Sequence, residues 1–123
     1  MKLVQFYHKK IKSIYTYETK LGADLVCDYL LFVFCDYSFR IEVSSSGEGL
    51  SIITNEDIQK EIQRTKIKYI KKNIKGSNDY ISKIDFNISE FNEIDSLIFI
   101  LDRDTLKISL DVDSLHIEID NIQ

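Results

Sequence analysis

The chain has 123 residues, 44% hydrophobic and 29% charged, with a net charge of -4, no proline and two cysteines. That balance suits one compact domain, residues 1–123, and is too apolar for a disordered chain. The longest unbroken apolar run, Tyr29 to Cys35, is seven residues, far short of the roughly 20 that a membrane helix needs, and Gln5, His8, Lys9 and Lys10 interrupt the start before a secretory apolar core of about 7 to 15 residues can form, so a cytoplasmic protein is expected.

At the N-terminus, Leu3, Phe6, Tyr7, Ile11 and Ile14 keep helical spacing and predict a helix, although Leu3 to Tyr7 would also serve as a strand. Ser13 to Lys20 alternates as a strand. Cys27 and Cys35 stand eight residues apart; if the stretch is extended, their Cα atoms lie about 26 Å apart, whereas a disulfide needs about 7 Å or less. Two small buried thiols are the expectation. Tyr29 to Phe34 is apolar at every position, as in a central strand covered on both faces.

Ser38 to Val43 alternates, with Phe39, Ile41 and Val43 on one side; turn residues Ser44 to Gly49 follow, and Leu50 to Ile53 resumes the apolar pattern. A loop at Gly47 and Glu48 would set Val43 opposite Ile52. Thr54-Asn55-Glu56-Asp57 then reads as a helix cap, with acids in the first turn where the dipole favours them. Ile58, Ile62, Thr65 and Tyr69 fall on one helical face, while Ile67, Ile70 and Ile74 fall on another. The helix is therefore expected to about Arg64, and Lys66 to Ile70 fits an edge strand protected by lysines equally well.

In the last third, Leu97 to Leu101, Leu106 to Val112 and Leu115 to Asp120 read as a three-stranded meander. A loop at Asp113-Ser114 would pair Val112 with Leu115, Asp111 with His116 and Lys107 with Asp120; Asp-Ser is not a preferred I′ pair, so a loop one or two residues longer is the alternative. The predicted fold class is α+β: a single domain in which antiparallel sheet meanders flank one central helix.

Charge is unevenly spread. Residues 1–20 carry +4, 21–57 carry -6, 58–75 carry +6 and 76–123 carry -8. No phosphate-binding loop, nucleophile elbow, zinc knuckle or dinucleotide fingerprint is present, and no cofactor is expected. Asp102-Arg103-Asp104 with Asp113 has the ends of a calcium loop, but Leu106 and Lys107 stand where a ligand and the turn glycine belong, so no metal site is expected either. His116 near Asp111 and Glu118 invites a general acid-base reading; a solvent-facing strand histidine accounts for the same letters. The Lys60 to Lys75 segment invites phosphate contact, against which stand the overall acidity and the isoleucines threaded through it.

A small acidic domain of this kind acts most readily by surface contact. The residues expected to bind a partner are Asp102, Asp104, Asp111, Asp113, Glu118 and Asp120, a row of carboxylates that would attract and orient a basic protein. In size, charge and lack of catalytic motifs the chain resembles bacterial immunity proteins of contact-dependent growth inhibition systems. No motif carries that resemblance, so it transfers no residue. It implies a non-enzymatic inhibitor of a cognate, basic, nuclease-type toxin; the short apolar runs speak against a membrane as partner, and the overall acidity disfavours nucleic acid. A small enzyme using His116, or a nucleic-acid accessory protein using Lys60 to Lys75, are the alternatives, and an exposed edge strand would allow a homodimer.

Overall fold

The computed structural model describes residues 3–16, 25–27, 29–56, 72–75, 79–112 and 114–121. Among them the chain is nearly all β, and the predicted α+β class with a central helix is overturned by two antiparallel sheets. The six-stranded sheet has the order β1 (Lys10–Ile11), β8 (Asp79–Ile88), β9 (Ile94–Leu101), β10 (Asp104–Asp111), β11 (Ser114–Asn121), β3 (Leu25–Cys27). The five-stranded sheet has the order β6 (Leu50–Asn55), β5 (Ser38–Val43), β4 (Tyr29–Val33), β2 (Ser13–Thr16), β7 (Lys72–Lys75). The one helical turn among the described residues is a 3-10 turn, Leu3–Phe6. No helix there is long and apolar enough to cross a membrane.

The sheets pack face to face because each presents one apolar side. Leu30, Phe32, Phe39 and Ile41 come from the five-stranded sheet and Ile84, Leu97, Phe99, Leu106, Ile108 and Ile117 from the six-stranded one, and all share one buried cluster. Aromatic rings bridge the layers. Phe99 stacks on Phe32 at 4.9 Å and lies 6.0 Å from Phe39. The expected central strand is found as such: β4 is the third of five strands, its Leu30 and Phe32 face the shared core, and Leu31 and Val33 are buried with Tyr15 on the opposite face.

Several local expectations change. The N-terminal apolar residues form no α-helix but divide between the 3-10 turn, β1 and β2, and Phe6, Ile11 and Ile14 are buried from these three elements. The cap expected at Thr54 and Asn55 lies at the end of strand β6, where Phe39 and Ser38 of β5 pair with these two residues. The rest of that helix, and the alternative strand Lys66 to Ile70, fall outside the described residues. Between Cys27 and Tyr29 the chain passes from one sheet to the other. Cys35 is a free thiol in the bend after β4 and is exposed rather than buried.

Both expected hairpins form with a register shifted by two residues. Val43 pairs with Leu50, so the loop spans six residues, 44–49. In the meander, Leu110 pairs with Leu115 and Ile108 with Ile117, so the turn is at residues 112–113. A two-residue slip keeps every side chain on its own face, which is why the apolar pattern alone does not choose between the registers. The cross-strand pairs do change: Lys107 stands opposite Glu118, and Ser109 opposite His116. The last strand is not an edge, since β3 pairs with it.

Candidate functional site

At one end of the molecule the β5–β6 loop meets the β8–β9 turn. The loop is closed by Ser44 N–H donating to the Gly49 carbonyl at 2.8 Å and Gly47 N–H donating to the Ser44 carbonyl at 2.9 Å, with Gly47 at φ 79°, where a residue without Cβ is unstrained. The turn is closed by Ser89 N–H to the Glu93 carbonyl at 2.8 Å and Asn92 N–H to the Ser89 carbonyl at 3.0 Å. The two are tied together by Ser46, whose hydroxyl donates to Glu93 Oε2 at 2.6 Å. They approach so closely that a Cβ on Gly49 would stand 2.6 Å from that of Glu93.

Between loop, turn and sheet lies an open depression of about 810 Å³. Gly47 and Glu48 line it from the loop, Ser89, Glu90 and Phe91 from the turn, and Asn87, Ser96, Lys107 and Ser109 from the sheet face turned away from the core. Asn87 Nδ2 donates to Ser96 Oγ at 2.9 Å, fixing the floor. Glu48, Glu90 and Asp95 set three carboxylates around it against the one ammonium of Lys107. Phe91 is 55% exposed at the rim. The site is acidic, concave and carries one projecting ring.

The six carboxylates expected from sequence are separated by the fold. Asp102 is exposed in the β9–β10 turn, where Oδ2 accepts the Tyr80 N–H at 3.2 Å. Asp104 begins β10 and is 7% exposed, so it adds nothing to an external surface. Asp111 ends the same strand, exposed, about 23 Å away along an extended chain. Glu118 is exposed in β11, opposite Lys107 and with Oε1 3.6 Å from His116 Nδ1. Asp120 pairs with Thr105 toward the Asp104 end, and Asp113 lies outside the described residues. Asp111 therefore lies at the Ser109 end of β10, beyond the residues that line the depression, while Asp102 and Asp104 lie at the far end.

Sequence reasoning missed Glu48, Glu90 and Asp95 as members of one site. The trace of Glu90 and Asp95 in the sequence is the charge of -8 over residues 76–123, but the fold alone brings the loop carrying Glu48 to that end. No group of three or more His, Cys, Asp or Glu able to hold a metal ion occurs among the described residues. Comparison with protein-family models, with curated proteins and with solved structures finds no match.

Proposed function

We propose that the protein is a non-enzymatic, cytoplasmic protein-binding module of the immunity type, which holds a basic toxin domain of nuclease character against the acidic depression. The observation that carries this reading is the depression itself: carboxylates of Glu48, Glu90 and Asp95 around a concave floor, with Phe91 projecting from the rim. Carboxylates in a concave site accelerate encounter with a cationic surface, and a projecting aromatic ring is the side-chain type that anchors protein interfaces. Asp111 and Glu118 extend the negative field along the same sheet face.

The test is capture of a basic partner by the tagged chain, followed by binding kinetics with Glu48→Lys, Glu90→Lys and Asp95→Lys combined. The combined reversal is expected to slow association at least about tenfold at low salt, with the difference shrinking as salt rises. Unchanged association would refute the assignment of this surface. A second reading rests on His116, which stands opposite Ser109 and 3.6 Å from Glu118 Oε1. It requires a hydrolytic activity that His116→Ala abolishes while the fold is retained.

A further inference from the structure

Strand β8 is ten residues long, but among the described residues its outer edge is covered only at the start. β1 pairs with Asp79 and Tyr80, the Lys9 carbonyl accepts the Ile81 N–H at 3.0 Å, and the Tyr7 hydroxyl donates to the Ile84 carbonyl at 3.2 Å. Beyond that point none of the described residues pairs with the edge. In an antiparallel strand both main-chain polar groups of a residue point the same way and alternate from one residue to the next. The Ile84 carbonyl points away from β9, so the N–H and C=O of Phe86 and Ile88 do too. The irregularity near Ile88 places its extra residue in β9, which leaves the alternation of β8 intact. The side chains of Phe86 and Ile88 are 49% and 50% exposed. Natural edges are blunted by lysine, proline, bulges or a covering segment; residues 85–89 carry no lysine or proline, and none of the described residues covers them.

We propose that residues 85–89 of β8 pair antiparallel with the same residues of a second copy, about a two-fold axis at Asn87, joining two six-stranded sheets into one. The register is selected by the residues themselves. An axis at Phe86 would require Ile84, which Tyr7 already occupies, and an axis at Asp85 would set two carboxylates against each other. With the axis at Asn87, Phe86 faces Ile88 of the second copy and Ile88 faces its Phe86, apolar against apolar. Asp85 meets Ser89, and the neutral amide of Asn87 meets itself. No like charges stand opposite, and the outward groups of Phe86 and Ile88 form four main-chain hydrogen bonds. The tie from Tyr7 to Ile84 ends the free lane where the turn after Ile88 of the second copy leaves it. A contact of this length is small, so the dimer is weak and concentration-dependent. Because Asn87 also lines the acidic depression, the two depressions then flank the axis on one face.

The proposal concerns the purified chain alone, so it stands or falls separately from partner binding. In a background with both Cys27→Ser and Cys35→Ser, Asn87→Cys places two thiols at a non-hydrogen-bonded pair with Cα atoms about 4.5 Å apart, within disulfide range. The control Asp85→Cys places them about 13 Å apart. Mild oxidation is expected to give a covalent dimer from the first variant and at least about tenfold less from the second. Sedimentation of the wild type is expected to show a monomer–dimer equilibrium that Ile88→Lys shifts to monomer, with circular dichroism unchanged. Equal cross-linking at the two positions, a wild type that stays monomeric at high concentration, or a dimer untouched by Ile88→Lys would each overturn the proposal.

Discussion

Val112 is held at φ 59° in the β10–β11 turn with its side chain 85% exposed. A β-branched residue in the left-handed region costs about 1–2 kcal/mol, and exposure returns nothing. Asparagine tolerates that conformation, so Val112→Asn is expected to stabilise the protein by about 1 kcal/mol, read as a higher midpoint in chemical denaturation. A lower midpoint would show that the turn does not set this cost. The same residue explains why the turn was not legible: Asp-Ser is not a preferred tight-turn pair, which points to a longer loop, whereas the structure places a strained valine in the turn. The expected loop and the observed one keep the same apolar face, so nothing in the periodicity penalised the error. Tyr37 makes a second residue-scale prediction. Its hydroxyl is pushed up to about 12, first by burial and then by the neighbouring Asp36 carboxylate, while its ring stacks on Phe34 at 4.8 Å. Because the folded state holds this proton more tightly than the unfolded chain does, its contribution is intact below about pH 10 and is lost as pH rises from there toward 12. Tyr37→Phe is expected to flatten that alkaline decline in denaturation midpoints; an identical decline would assign it to other groups.

Elements were legible where one strand obeys one period. β4 announces itself by an unbroken apolar run, as does Leu97 to Leu101 of β9, and β10 and β11 alternate cleanly. β8 does not, because a bulge between Ile81 and Lys83 puts the buried Ile81 and Ile84 three residues apart, a spacing that breaks the strand period of two and fits a helix instead. The N-terminal residues misled for the opposite reason: apolar positions drawn from a 3-10 turn and two strands happen to fall at helical intervals. The loop and turn that build the depression depend on one close approach. At Gly49 any side chain would meet Glu93 Cβ and the Ile94 carbonyl, the latter at 3.0 Å, and the main chain at Ile94 cannot swing aside as the end of a flexible side chain would. Gly49→Ala is therefore expected to push the β5–β6 loop off the β8–β9 turn, lower stability by about 1–3 kcal/mol and weaken partner binding through displacement of Glu48. Normal stability and binding would mean the loop accommodates a methyl group freely.

Across the whole molecule, the core and the site draw on the same two sheets but demand different things of them. The acidic site joins Glu48 from one sheet to Glu90 and Asp95 from the other, residues more than forty positions apart, and sequence periodicity contains no information about which loops of a sandwich meet. The charge imbalance of the C-terminal part was readable; its geometry was not. Two phenylalanines separate the roles. Phe99 is fully buried and touches Phe32 and Phe39 of the opposite sheet, so Phe99→Ala removes the ring that joins the layers and leaves a cavity, for an expected loss of about 3–5 kcal/mol. Phe91, exposed at the rim of the depression, supports no such contact, and Phe91→Ala is expected to change stability by no more than about 0.5 kcal/mol while raising the dissociation rate of the basic partner. Denaturation and binding kinetics on the two variants together decide the matter: a stable Phe91→Ala protein that still binds at full strength would remove the ring from the interface and leave the carboxylates to act alone.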